Sequence, residues 1–533
     1  MRPTVGEILA DHVSLEVSCV DRIYVNGYVP KLQTSGQLVY FLSGHLGNPL
    51  ASPALLGRLG ERYREQVRRF VERGQIPVVR FQRGVRKDEV AKVRRRQHSG
   101  EEGVVFLGVA QERCRSFKGR KCVSPGGVIS FDFSRQPVFV NQLYFYLQDC
   151  DWGPAFVKIG TYLPYPVKLC LNGHEWVKQQ LRREGIGFES LDNGFLSCED
   201  PARLQQVCDR LGPEAIQAFF DRWSQRLPWP LTAENREAGY CHQLSLWQIE
   251  LSLTQVFDRP LEGRHFFDQI VRANLDLGRP DRVRLLFDRR MTRRTPPPAY
   301  GYRTRVITDG VDPSLHIEYK HCQVKQYFKE GHALRTETTI NEPADFGVGK
   351  ALPNLWQLKT IGQSANRRLL AAERLADGDA LGDEDLARLQ RPITTDGHRV
   401  AALRFGDPRT MALLAALGHY SLQVHGFRHR DLRRLVEPLL GHPYTSSQMT
   451  YDLRRLRRRN LIVRVPGTHR YLLTPLGLRF AYLFTKLHQR LLKPAWAALL
   501  PAKTVPPPIR RALRVLDRHL DQLIADQRLL VAA

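Results

Sequence analysis

Residues 444–477 read YTSSQMTYDLRRLRRRNLIVRVPGTHRYLLTPLG. Thr445, Ser446 and Ser447 each carry a hydroxyl able to satisfy the free N–H groups of a first helical turn, so a helix starts here. Met449, Leu453 and Leu456 recur at spacings of four and three and form its buried stripe. At about 100° per residue, the opposite face carries Ser447, Tyr451, Arg454 and Arg458. Past Asn460 the spacing predicts two short strands, Leu461–Val465 and Arg470–Leu473, joined by Pro466-Gly467-Thr468-His469. Thr474-Pro475 then opens another helix with proline in its first turn.

Upstream, Arg409–His425 reads as a first helix and Phe427–Leu439 as a second, with Leu432, Leu435, Val436 and Leu439 on one face. Gly441-His442-Pro443 forces the turn into the third. Helix, helix, helix, hairpin, helix is the order of a winged helix. Residues 444–485 resemble the MarR/ArsR-type winged-helix family through YDLRRLRRRNLI and HRYLLTPLG. The resemblance implies a helix-turn-helix reader of double-stranded DNA whose third helix enters the major groove and whose wing touches the backbone. Those roles would fall on Ser447, Tyr451, Arg454 and Arg458, and on Arg464, His469 and Arg470. Residues 421–490 hold fourteen Lys/Arg against three Asp/Glu, which suits a polyanionic partner. A solvated charged face and a protein-docking module are the competing readings.

The whole chain points the same way. Its 533 residues allow several domains, and its net charge of +26 attracts polyanions, nucleic acid foremost. No apolar run approaches the ~20 residues of a membrane span, and the N-terminus lacks an apolar signal core. A cytoplasmic protein without a membrane partner is expected. The nine cysteines are scattered and form no CxxC pair, which excludes a disulfide framework or zinc ribbon. Cys114 and Cys122 read as isolated thiols rather than ligands.

The expected fold class is α+β: a mixed α/β N-terminal body over 1–287, a β-rich segment over 299–372 completing it, an acidic linker over 373–405, a winged helix over 406–492, and a proline linker with an amphipathic helix over 501–533. In the body, Ser14–Val29, Ile76–Phe81, Gly103–Val109, Val138–Leu147 and Ala155–Tyr162 read as strands. Leu55–Glu72, Pro201–Leu211, Pro213–Leu227 and Cys241–Phe257 read as helices. Ile509, Leu513, Leu516, Leu520 and Leu523 follow the seam spacing of a short coiled coil, which makes a homodimer through 509–530 an expectation beside simple packing.

Candidate chemistry concentrates in HIEYKHCQVKQYFKEGHALRTETTIN, 316–341. It reads as two strands, His316–Tyr327 and Leu334–Ile340, with a turn at Lys329-Glu330-Gly331. Asp312 followed by Glu318 and Lys320 on one strand face resembles the PD-(D/E)xK nucleases. There two carboxylates, here Asp312 and Glu318, would hold Mg²⁺ and the lysine would steady the nucleophile. The same stretch resembles replication-initiator hairpins, which would make Tyr327 the nicking nucleophile and Glu337 a metal carboxylate. A polar hairpin with cross-strand charge pairs is the plain alternative. No P-loop, HExxH or GxSxG is present, and His174-Glu175 reads as structural.

Basic clusters that include Arg86 and Lys87, and Arg293 and Arg294, fit a nucleic-acid path. The chain also resembles a set of long bacterial proteins of no assigned activity, on DRIYVNGYVP, KLCLNGHEW and YKHCQVKQYFKEGHALRTETTIN. The expectation is a DNA-binding protein of a bacterial mobile element or replicon, with metal-assisted DNA processing by a nuclease or nicking enzyme left open. A non-enzymatic winged-helix transcriptional regulator and an RNA-binding protein are the alternatives.

Overall fold

The computed structural model describes residues 11–82, 84–261, 263–264, 267, 302–309, 312–375, 389–395, 397–486 and 515. In chain order the main elements are β1 (Val13–Tyr28), α1 (Pro53–Arg73), β2 (Val78–Arg80), α2 (Lys87–Arg96), β3 (Gly103–Val123), β4 (Ile129–Asp149), β5 (Gly153–Gly160) and β6 (Val167–Asn172). There follow α3 (Gly173–Glu184), β7 (Phe188–Ser190), β8 (Phe195–Cys198), α4 (Pro201–Arg210), α5 (Pro213–Arg226), β9 (Gln243–Phe257), β10 (Tyr302–Asp309), β11 (Asp312–Tyr319), β12 (Cys322–Lys329) and β13 (Ala333–Ile340). The rest are α6 (Leu355–Leu375), β14 (Ile393–Thr395), β15 (His398–Val400), α7 (Pro408–Leu417), α8 (Tyr420–His425), β16 (Phe427–Arg428), α9 (His429–Leu440), α10 (Ser446–Arg458), β17 (Ile462–Arg464), β18 (Arg470–Leu473) and α11 (Pro475–Lys486). The class is mixed α and β with a large, mostly antiparallel sheet.

The chain divides into two compact units, each assembled from separated segments. One comprises residues 14–257 and 332–364; the other comprises 1–13, 258–331 and 365–533. The division cuts across the sequence segmentation: of the 299–372 segment, 332–364 joins the body, while 302–331 groups with C-terminal residues.

In the first unit the strand order is β13-β9-β1-β6-β5-β4-β3-β2. The pairings of β13 with β9, β1 with β6, β6 with β5, β5 with β4 and β4 with β3 are antiparallel, and β2 joins β3 in parallel. Cys241–Phe257, expected as a helix, is corrected: Gln243–Phe257 is strand β9. Its side chains from Leu251 to Phe257 are buried without a break, as in a strand covered on both faces. β3 and β4 each run 21 residues, far past the short strands the sequence indicated, and pair in register to their tips at Val123 and Ile129. α1, α4 and α5 form where expected, α3 adds a helix the sequence reading did not include, and the caps explain their starts. Asn172 and Asp200 accept from backbone N–H groups of α3 and α4, and proline opens α1, α4 and α5.

In the second unit β10, β11 and β12 form an antiparallel meander. Leu315, Ile317, Cys322, Val324 and Gln326 are buried, and α8 packs on β10 and β11. Gln326 donates to the buried Glu373 of α6 at 2.9 Å. The 373–405 stretch is more than a linker, since it contains the hairpin β14–β15. Beyond it, α7, α9, α10 and α11 enclose a core of Leu413, Leu414, Leu432, Val436, Met449, Leu456 and Phe480, beside a small sheet of order β16-β18-β17. The expected first helix, Arg409–His425, is two helices, divided at Gly418 and His419. The expected coiled-coil seam lies outside the described residues.

Candidate nucleic-acid interface

α10 starts at Thr445, whose hydroxyl accepts from the backbone N–H of Gln448 while the Gln448 side chain returns to the Thr445 N–H. Met449, Leu453 and Leu456 are buried, as their spacing predicts. Ser447, Tyr451 (48% exposed) and Arg454 face solvent, and Arg458 is half-buried beside them.

The arginine run divides by direction, a point its one-dimensional reading missed. Arg455 is buried, with Nε 3.2 Å from the Ala401 carbonyl, a short bond to the Ala402 carbonyl and Nη1 3.4 Å from Asp452. Arg459 is buried too, and donates to the carbonyls of Arg391 at 2.7 Å and Ala401 at 2.9 Å. Asp452, fully buried, accepts from Arg409 Nε at 2.8 Å and from Tyr444. The one carboxylate of α10 is therefore consumed inside. Arg454, Arg457 and Arg458 remain outside without an ion pair among the described residues. Unopposed guanidiniums on an exposed helix face present a positive field to solvent.

The β17–β18 loop adds to that field in part. Arg464 is exposed, donates to the Thr468 carbonyl at 2.8 Å and approaches His469 at 3.4 Å, so it braces the loop while its charge stays in solvent. His469 is exposed. Arg470, expected to face nucleic acid, is half-buried, and its Nη1 donates to the His425 carbonyl at 2.8 Å. Burial, with Arg368 and Arg470 adding to it, pushes His425 well below the usual imidazole range, so that ring is neutral.

Other expected contacts divide similarly. Arg86 is exposed and pairs with Glu89 at 3.2 Å. Lys87 is corrected from phosphate contact to internal anchor: its Nζ bonds Glu112 and the Tyr144 hydroxyl at 2.9 Å, and lies 4.2 Å from the Tyr144 ring centroid. Burial works against the Glu112 carboxylate, but Lys158, Lys87 and Tyr144 outweigh it and lower it to about 2. Arg293 and Arg294 lie outside the described residues.

The expected metal site does not assemble. Asp312 opens β11 and Glu318 nears its end, six residues on, which at ~3.3 Å per residue separates their Cα atoms by ~20 Å. That exceeds the reach of shared coordination. Lys320 is not on the strand: it occupies the turn after β11 with φ 46°, so Glu318 and Lys320 do not alternate along one strand. The expected strand His316–Tyr327 is instead two strands folded at that turn.

By register, Tyr327 opposes Ser314 on the polar face of the meander, ~13 Å along β11 from Glu318. Lys325 Nζ sits 4.2 Å from its ring centroid. Glu337 belongs to the other unit, where Arg335 Nε approaches it at 2.8 Å. Glu102, Asp149 and Cys150 come together among the described residues. The Asp149 oxygens, however, already accept from Arg222, from Trp223 Nε1 at 2.7 Å and from the N–H groups of Asp151 and Trp152. That donor set describes a structural carboxylate.

The runs DRIYVNGYVP, KLCLNGHEW and HALRTETTIN converge in the first unit. Arg335, with no exposed side chain, donates to Asp21 Oδ2 at 2.7 Å and approaches His174 Nε2 at 3.1 Å. Asn193 donates to Asp21 Oδ1 and accepts from Asn172 at 2.8 Å. Burial raises the Asp21 carboxyl, but Arg335, His174, Arg22 and Asn193 together hold it below the ordinary range. His174 Nε2 also lies 3.0 Å from the Ser252 hydroxyl. Sequence reading missed this convergence because its members lie up to 314 residues apart.

No known protein family, curated protein or solved structure matches the chain. No helix among the described residues is long and apolar enough to cross a membrane.

Proposed function

We propose that residues 406–492 act as a winged-helix module for double-stranded DNA, with α10 in the major groove and the 465–469 loop as the wing. The carrying observation is the outer face of α10: Ser447, Tyr451, Arg454 and Arg458 stand outward, while the helix's only carboxylate is buried. The element order and the β16-β18-β17 sheet support the same reading. Ser447 and Tyr451 offer hydroxyls, and Arg454 and Arg458 offer forked donors suited to guanine edges. Arg464 and His469 would meet the phosphate backbone, and Arg470 would not.

Each base-directed arginine contributes ~1–3 kcal/mol. Replacing Arg454 and Arg458 by alanine in the full chain is expected to weaken binding to its preferred duplex by roughly 30-fold or more. Unchanged affinity would overturn the assignment. Competition by structured RNA equal to that by duplex DNA would favour the RNA-binding reading. The module serves either a regulator or a DNA-processing protein of a mobile element or replicon. Incubation of duplex and single-stranded DNA with Mg²⁺ separates the two by whether strands are cut.

A further inference from the structure

The β3–β4 hairpin carries a second surface, in the unit that does not contain the module. Its outer part pairs Arg113 with Phe139, Arg115 with Pro137, Lys118 with Ser134, Arg120 with Asp132, Lys121 with Phe131 and Val123 with Ile129. Directly opposed residues share a face. One face of the ribbon therefore carries Arg113, Arg115, Lys121, Phe131 and Phe139 on either side of the buried Phe117 and Phe133, and the other carries Lys118 and Arg120. All five cations are exposed, and none is held in an ion pair among the described residues. Asp132 is the only carboxylate between residues 113 and 140.

The ribbon is anchored at its base. Phe117 and Phe133 are buried, Ser116 bonds the Leu163 carbonyl, and Arg135 donates to Gln33 at 2.9 Å and lies 5.7 Å from the Phe117 ring centroid. Its end is apolar and bare: Val123 is 60% exposed, Val128 67% and Ile129 44%. Gly127, at φ 76°, lets the chain reverse there.

We propose that this ribbon is a double-stranded-DNA-binding arm, with its arginines and lysines on phosphates and its apolar tip against base steps. A two-stranded ribbon fits a major groove ~12 Å wide. Beyond that anchor the stretch from Lys118 to Val123, at ~3.3 Å per residue, spans ~17 Å, about half a turn of duplex, with Arg113 and Arg115 exposed behind it. Apolar side chains inserted between base steps unstack and bend the duplex, as minor-groove proteins do beside their cations. An anionic membrane is the other surface that a cationic stem with an apolar tip fits. The guanidinium fork at three of the five cations, suited to phosphates met in fixed register along a duplex, favours DNA.

The test uses the full chain and a random-sequence duplex, so that it does not depend on base reading by α10. Each phosphate contact contributes ~0.9 to the slope of log K against log salt. Arg113→Gln, Arg115→Gln, Arg120→Gln and Lys121→Gln together are expected to lower that slope by about 3 to 4, and the tip pair Arg120→Gln with Lys121→Gln by about 2. Replacing the three arginines by lysine should retain it. Val128→Ser with Ile129→Ser should keep the slope and reduce duplex bending, read by energy transfer between labelled ends.

An unchanged slope in both Gln variants overturns the arm. The loss on substituting Arg454 and Arg458, measured on the preferred duplex, is a separate readout that can stand or fall alone. Binding of phosphatidylserine vesicles that the Gln variants abolish, with duplex binding intact, would overturn DNA in favour of a membrane.

Discussion

Glu373→Gln tests the buried contact between α6 and the β10–β12 meander through its proton linkage. Glu373 is fully enclosed and accepts from Gln326 at 2.9 Å, with no cation among the causes of its shift. Burial raises its carboxyl from 4.5 to about 8, outweighing the Gln326 hydrogen bond that acts against it. A raised folded-state value means the native protein holds a proton that the unfolded chain releases. The stability contribution is therefore fully present below about pH 4.5 and is lost as pH rises through about 8. At about 1.4 kcal/mol per pH unit, the accumulated loss is on the order of 3 kcal/mol at pH 7 and 5 kcal/mol above pH 8.

The substituted glutamine would keep the shape and an acceptor for Gln326 and would not titrate. Thermal or urea melts of wild type and variant, differenced at each pH, cancel the remaining titrating groups. The variant is expected to match wild type near pH 4.5, gain on it steadily to pH 8 and hold a constant lead above. Parallel curves at all pH values, or a lead that grows on acidification, would refute the reasoning.

Other expectations follow from single contacts. Asp452→Asn removes the charge that pairs Arg409 and Arg455, and because Arg409 is partly exposed the cost should be about 3 kcal/mol, the low end for a broken buried pair; an unchanged melting temperature would contradict it. At Gly477→Ala, the new Cβ would lie 2.0 Å from the Leu461 carbonyl oxygen, so the start of α11 must shift away from the chain entering β17. Overpacking of that kind costs roughly 1–3 kcal/mol, and a neutral effect in denaturant titration would count against the packing described. Arg335→Lys cannot serve Asp21, His174 and the Asn193 carbonyl together, because an ammonium lacks the planar fork. Its yield and melting temperature should drop nearly as far as those of Arg335→Met, and wild-type behaviour of the lysine form would show that the fork is dispensable.

The last eighty or so described residues were the most legible, and local chemistry explains why. Thr445, the stripe at Met449, Leu453 and Leu456, and Thr474-Pro475 each act within a few residues of themselves. What failed depended on distance or on two-sided burial. Gln243–Phe257 has apolar residues spaced to satisfy either a helix or a strand, and only its neighbours on both sides make it a strand. Arg455 and Arg459 look like Arg454 and Arg458 in a list of charges. Their inward turn rests on Asp452 and on carbonyls of residues 391–402, fifty to seventy positions earlier. Asp312, Glu318 and Lys320 matched a motif in spacing, yet a turn at Lys320 removed the shared face that the motif requires.

The division of the chain has a consequence for how it is made. The polypeptide passes between its two units four times, at 13/14, 257/258, 331/332 and 364/365. A ribosome that has delivered residues 14–257 has not delivered β13, so β9 waits with an open edge until about eighty more residues emerge. Unpaired edges recruit other chains. A fragment ending near residue 287, the boundary that composition suggests, would keep that edge open permanently. A fragment that keeps β9 paired must therefore carry β13 as well as residues 14–257.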